Sequence, residues 1–178
     1  MSHKGTSERY GHVAVTIHWA SALVVGGALV SGFQAGGLVD PVVKTALLRV
    51  HAFCGVATLG LTLARIGWWF ADRRPGPIAG MGWLQARAAS GTHLLLCALM
   101  FVMAASGIGM MVLSGAGAVL SGAKAAALLP DFWAYAPRVP HSIGARLLIG
   151  LLILHAGAAL YHQFICRDGL MRRMRFSA

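Results

Sequence analysis

The stretch from His141 to His162, which reads HSIGARLLIGLLILHAGAALYH, determines the fold. Its apolar run is too long for an ordinary strand, which predicts a membrane-spanning helix, and three histidines mark it. An α-helix turns by about 100° per residue, so the fourteen residues from His141 to His155 fall about 40° short of four turns. These two imidazoles therefore share one face, about 21 Å apart along the axis, and His162 lies close to that face.

The rest of the chain has the same apolar character. Of its 178 residues, 57% are hydrophobic and 11% are charged, and the mean hydropathy is +0.69. Soluble domains carry about 25% charged residues, so the composition predicts an integral membrane protein with one all-α domain over residues 1–178. It excludes disordered and disulfide-rich secreted classes. Four runs reach the roughly 20 residues that a bilayer core requires, at about 13–33, 47–70, 92–113 and 142–164.

The basic residues indicate an orientation rather than a nucleic-acid partner. The net charge is +10, but the bases are scattered between the apolar runs, as membrane-flanking charges are. Nine bases on one side against four on the other place both termini in the cytoplasm, and short connections predict an up-down four-helix bundle. The larger group is Lys4, Arg9, Arg73, Arg74, Arg87, Arg167, Arg172, Arg173 and Arg175; the smaller is Lys44, Arg49, Lys124 and Arg138.

Neither the longest connection nor the three cysteines show a sequence pattern that indicates catalysis or metal binding. Residues 115–129 are too few for a span, and we expect a surface or interfacial segment. Cys54 and Cys97 fall inside apolar runs, where a small buried side chain is the simplest interpretation. Cys166 follows at a helix end, with nothing nearby in the sequence that indicates a reactive thiol.

Histidines are the ionisable groups that recur in the spans, and such groups are functional candidates. Counting residues from the ends of antiparallel helices puts His18 level with His155, and His51 level with His141. Two imidazoles facing each other across a bundle suit a six-coordinate low-spin haem iron, which favours electron transfer. Zinc is the rival metal, although it prefers a tighter tetrahedral cluster with Cys or carboxylate ligands. Arg65 lies in the second span, where we expect a propionate or backbone partner.

At this point the sequence resembles the bacterial cytochrome b561 family of small four-helix di-haem proteins. The resemblance covers nearly the whole chain, and the order and spacing of several fragments carry it. They are Ile17-His18-Trp19, Arg49-Val50-His51-Ala52 with Gly55, Arg65, Gly91-Thr92-His93, Pro140-His141-Ser142, and His155-Ala156-Gly157-Ala158-Ala159-Leu160-Tyr161-His162.

The resemblance implies a bundle enclosing two b haems in the bacterial inner membrane. His18 and His155 would be the axial ligands of the cytoplasmic-side haem, and His51 and His141 those of the periplasmic-side haem. His162 matches a quinone-side position, and His93 would line the quinone site or contact a haem propionate. The lysine expected on the quinone side is absent from residues 78–83, which leaves three substitutes: Arg73, Arg74 and Arg87.

Stand-alone members of this family include superoxide oxidases, so the leading hypothesis is electron transfer from periplasmic superoxide to ubiquinone. A basic rim at Lys44, Arg49 and Arg138 would steer the anion, although Arg49 could equally pair with a propionate. The alternative is a membrane anchor that links the quinone pool to a dehydrogenase or a soluble periplasmic partner docked near 115–129. A third hypothesis is a haem-free, histidine-lined transporter.

Overall fold

Four long helices make up most of the chain in the computed structural model, which describes residues 3–78 and 80–176. They are α1 (His12–Gly37), α2 (Pro41–Ala71), α3 (Trp83–Ser114) and α5 (Arg138–Tyr161), and a short helix α4 (Gly117–Leu120) precedes α5. Each long helix is apolar and long enough to cross a membrane, and the described residues contain no strand. The predicted all-α fold with four spans is confirmed.

The helices extend beyond most of the predicted span limits. The second run was expected at 47–70, whereas α2 begins at Pro41 and ends at Ala71. Its start is fixed locally, because the Asp40 carboxylate accepts hydrogen bonds from the Val42 and Val43 N–H groups at 2.8 and 2.9 Å. A proline at the first helical position needs no such partner. Hydropathy marks only the residues in the hydrocarbon core, while capping decides where the helix begins.

Consecutive helices pack side by side. The α1–α2 hairpin and the α3–α5 pair lie against one another along α2 and α3. A buried apolar cluster joins α1, α3 and α5 at mid-height, formed by Val25, Leu96, Cys97, Met100 and Leu148. Leu148 lies seven residues from both His141 and His155 on α5, so this cluster separates two histidine levels.

The third connection is anchored to the bundle. Ala116 and Val119 are buried, and the Arg49 side chain on α2 donates from Nε to the Leu120 carbonyl at 2.7 Å. The predicted surface segment therefore has a fixed inner side, while Leu128 on its outer side is exposed. We call residues 115–129 the anchored connection below.

The chain termini fold back over the opposite end of the bundle, which we call the terminal face. The Gly5 N–H donates to the Asp72 carboxylate at 3.0 Å, and the Trp68 indole donates to the same carboxylate. Near the other terminus, the Trp19 indole donates to the Met174 carbonyl at 3.0 Å. These contacts bring both tails to the end of the bundle where α2 ends and α3 begins.

Candidate functional site

His51 on α2 and His141 on α5 face each other near the anchored connection. Their ring centres lie 5.8 Å apart, with planes inclined by 74°. The His51 Nδ1–H donates to the Ala28 carbonyl on α1 at 2.7 Å. His141 Nδ1 lies 3.0 Å from the Ser106 hydroxyl oxygen on α3. Both rings thus have one nitrogen held by a neighbouring helix.

These hydrogen bonds determine which imidazole nitrogen can bind a metal. A carbonyl can only accept, so the proton of His51 sits on Nδ1. The Ser106 hydroxyl donates to the Val102 carbonyl at 2.7 Å, so its oxygen accepts from His141 Nδ1–H. In both rings Nε2 keeps its lone pair, and a partner on the other nitrogen orients a metal-binding imidazole in this way.

Glycines make room for the two rings. A β-carbon at Gly32 on α1 would lie 2.7 Å from Cε1 and Nδ1 of His51, which real structures do not tolerate. A β-carbon at Gly107 on α3 would lie 3.4 Å from His141 Cε1. The close approach at Gly32 requires a residue without a side chain. The sequence analysis identified neither Gly32 nor the two acceptors, Ala28 and Ser106.

Three histidines meet at the second level, nearer the terminal face. The ring centres of His18 on α1 and His155 on α5 are 6.1 Å apart, and their planes are inclined by 62°. His93 on α3 approaches the same His155 ring to 5.2 Å. The structure therefore brings the expected pair together and adds His93 as a second neighbour of His155.

Arg65 on α2 lies at this level, and one of its guanidinium donors has no acceptor among the described residues. Its Nη2 donates to the Ser21 hydroxyl at 3.3 Å, but its Nε is buried without a partner among the described residues. The Thr58 hydroxyl, two turns earlier on α2, is likewise buried with no partner in the described part of the chain. An unsatisfied guanidinium nitrogen in a membrane is costly, so an acceptor such as a carboxylate would be stabilised here.

The two levels fit a metal held between opposed imidazoles. Metal–nitrogen bonds of about 2 Å place opposed nitrogens about 4 Å apart, and their ring centres about 6 Å apart. The ring separations at both levels match this span. Together with the orphaned guanidinium for a propionate, the donor set fits b haem. In the described part of the chain, the three-ligand cluster that zinc prefers occurs elsewhere, at His162.

His162 lies at the terminal face in a polar network. It is 8% exposed and belongs to a π-helical turn, His162–Cys166, that continues α5. Its Nδ1 lies 2.5 Å from an Asp168 carboxylate oxygen, and its Nε2 lies 3.2 Å from the Gln85 amide nitrogen on α3. Desolvation raises the pKa of Asp168, but the nearby His162 imidazole, through its hydrogen bond and its charge, and the hydrogen bonds from the backbone N–H groups together outweigh this and hold the pKa below its ordinary value. The sequence analysis missed Gln85 and Asp168, because nothing in their spacing joins α3 to the residues after α5.

The predicted basic residues already have local partners. Arg49 donates to the Leu120 and Val119 carbonyls, and the Arg138 guanidinium lies 4.6 Å from the Trp133 ring centre. Arg74 lies over Trp69 and Arg87 over Trp83, at 5.2 and 5.7 Å. Arg73 and Arg74 line a cleft with residues 5–7 rather than the surroundings of His162.

The chain is similar to known proteins over nearly its whole length. The family model described as prokaryotic cytochrome b561 matches residues 9–177. The chain is 29% identical to cytochrome b561 homolog 2 of Escherichia coli K12, covering 98% of this chain and 95% of that protein. It is also 29% identical to cytochrome b562 of Cereibacter sphaeroides, covering 93% of this chain and 94% of that protein.

Proposed function

Because the chain belongs to the prokaryotic cytochrome b561 family, whose members are membrane haem b electron-transfer proteins, we propose that it transfers electrons from periplasmic superoxide to ubiquinone. The observation that supports this best is the pair of imidazole levels, about 21 Å apart along α5. When bound, one b haem at each level would supply one-electron transfer between the two faces of the bacterial inner membrane.

The chain's own residues prepare both levels. His51 and His141 would hold one haem, with Ala28 and Ser106 keeping Nε2 of each ring free to bind iron. His18 and His155 would hold the other, with the buried Nε of Arg65 available to a propionate. His141 is buried, and His18, His51 and His155 are half-buried.

We place ubiquinone at His162, on the terminal face, which the distribution of bases assigns to the cytoplasm. Asp168 holds the Nδ1 proton of His162 and so orients the ring toward an incoming quinone carbonyl. Gln85 occupies Nε2 in its absence. Reduction of one ubiquinone consumes two electrons and two protons, and two superoxide ions supply those electrons and leave as two dioxygen molecules. His162 would pass protons from the cytoplasm to the quinone.

Superoxide would arrive at the opposite face, near the anchored connection. Lys44, Arg49 and Arg138 lie at that end of α2 and α5 and give it a positive potential. Such a potential raises the encounter rate of a small anion and weakens with salt. Arg49 contacts backbone carbonyls and Arg138 contacts an indole ring. These partners are neutral, so neither contact cancels the positive charge of the arginine.

Stopped-flow spectroscopy of the purified protein tests this proposal. We expect superoxide to reduce the haem bands rapidly, and ubiquinone to reoxidise them. His162→Gln should slow the second phase and leave the first unchanged, with His12→Gln as a matched histidine control outside both levels. Haem bands that stay oxidised under superoxide would refute the proposal.

The second candidate is an electron-transfer subunit for another redox protein. Leu128 and Trp133, on and after the anchored connection, are exposed at 63% and 61%, and such a partner could dock on this side of the bundle. Sustained superoxide-driven quinone reduction by the isolated protein would rule against this candidate, because no partner would then be required.

A further inference from the structure

We propose that His162, Cys166 and Asp168 form a zinc-binding site at the terminal face, separate from both imidazole levels. One ligand atom from each side chain lies within 4.8 Å of the other two. Nothing in the sequence pattern indicates that Cys166 is reactive or binds a metal, because the turn after α5 is what brings it close to its partners.

The backbone adopts two uncommon conformations where it forms this cluster. The π-helical turn His162–Cys166 replaces the last regular turn of α5, and such turns are frequent at functional sites. Arg167 then adopts φ 53°, an uncommon conformation for a residue other than glycine, and Gly169 adopts φ 79°. The left-handed Arg167 turns the chain just before Asp168, which lies against His162, and Gly169 turns it again into residues 170–174. The second Asp168 oxygen accepts from the Leu170 N–H at 3.0 Å, which fixes the carboxylate.

The donor set selects a transition metal of zinc's type. Imidazole, thiolate and carboxylate are its usual ligands, at about 2.0–2.3 Å, and three protein ligands leave a fourth position for water or another molecule. Ligand atoms around zinc lie within about 4 Å of each other, so the exposed Cys166 side chain would move inward by only about 1 Å. The Asp168 oxygen, 2.5 Å from His162 Nδ1, would move outward to make room for the metal between them. Calcium and magnesium need six or more oxygen ligands, which this cluster does not offer.

The neighbouring charges favour a metal held by coordination bonds. Near the cluster in the sequence lie Arg167, Arg172 and Arg173, and these positive charges disfavour a cation held by electrostatic attraction alone. A thiolate and a carboxylate bring two negative charges of their own, which neutralise a divalent ion. Binding at Nδ1 would move the His162 proton to Nε2, where the Gln85 amide can accept it through its oxygen after rotating by half a turn.

Zinc at this site would compete with the quinone for His162, a consequence that rests on the proposed function. The metal would hold the imidazole that is assigned to the quinone carbonyl and proton. Micromolar zinc should therefore slow quinone-dependent reoxidation of the haems, while haem reduction from the opposite face continues.

Equilibrium dialysis of the haem-loaded protein with Zn²⁺, followed by elemental analysis, tests the site without any turnover. We expect one zinc per chain, and at least a tenfold loss of affinity in Cys166→Ser and in Asp168→Asn. Cys54→Ser and Asp131→Asn remove the same residue types elsewhere and should bind zinc as the unmodified chain does. Equal zinc binding by Cys166→Ser and the unmodified chain would overturn the site.

Zinc inhibition is measured separately in the stopped-flow assay. Cys166→Ser should show the metal-free rate of the unmodified chain and resist zinc. If zinc binds stoichiometrically but reoxidation keeps its rate, the metal site stands and its link to the quinone is wrong. If superoxide reduces nothing, the proposed function fails, and the dialysis result still decides the site.

Discussion

At the scale of single residues, each ring of the His51–His141 pair is positioned by a neighbour on another helix. Ala28 and Gly32 on α1 hold and accommodate His51, while Ser106 and Gly107 on α3 do the same for His141. A histidine in a membrane helix is therefore only part of a ligand. The residues that aim its nitrogen lie on other elements, and their effect can be tested one substitution at a time.

Gly32→Ala should displace the His51 ring and lower haem content. The new β-carbon would lie 2.7 Å from two ring atoms, and His51 must then rotate away from His141. We expect about half of the haem to be lost, as measured by pyridine haemochrome absorbance per chain. Gly36→Ala is the matched control, one turn along α1, where a β-carbon meets nothing within 4 Å. Full haem content in Gly32→Ala would show that His51 is not held as described.

Ser106→Ala should destabilise the His51–His141 level without displacing either ring. It removes the hydroxyl that accepts from the buried His141 Nδ1–H at 3.0 Å, at a cost of about 1–3 kcal/mol in the free energy of unfolding. We also expect a measurable shift in the potential of one haem, because that hydrogen bond tunes the ligand. Ser31→Ala is the control, since that buried hydroxyl bonds only to its own helix. Equal thermal stability and potentials in the two variants would contradict this role.

At the scale of elements, the spans and the depths of their histidines were predictable, and the other contacts between helices were not. Hydropathy alone located all four long helices, because a bilayer core demands long apolar runs. A fixed rise per residue was enough to match His51 with His141 and His18 with His155 in depth. The network joining Gln85, His162 and Asp168 was invisible, because it depends on a π-helical turn and two left-handed residues.

The anchored connection should loosen when Arg49 is shortened. Its Nε and Nη2 donate to the Leu120 and Val119 carbonyls, so Arg49→Gln removes the charged fork that holds α4 against α2. We expect faster amide hydrogen exchange across residues 115–129, with the exchange of α2 itself unchanged. Lys44→Gln, which removes a charge five residues earlier on α2, should leave that exchange as it is. Unchanged exchange in Arg49→Gln would show that Ala116 and Val119 are sufficient anchors.

At the scale of the whole molecule, α5 connects the two levels and the terminal face. It carries His141, Leu148 and His155 at intervals of seven residues, and His162 follows after another seven. Leu148, which belongs to the buried apolar cluster, therefore lies midway between His141 and His155. The bundle thus separates the two imidazole levels by packed side chains, and we expect each level to lose its proposed cofactor without the other.

That separation yields a prediction for haem stoichiometry. His141→Leu and His18→Leu should each bind one haem per chain instead of two, and the double variant should bind none. Redox titration should show a different remaining potential in each single variant, because Arg65 lies only at the level of His18. His93→Leu is the decisive comparison, since His93 approaches His155 more closely than His18 does, at 5.2 against 6.1 Å. If His18 is the ligand, His93→Leu keeps both haems and His18→Leu loses one; the reverse result would assign the iron to His93.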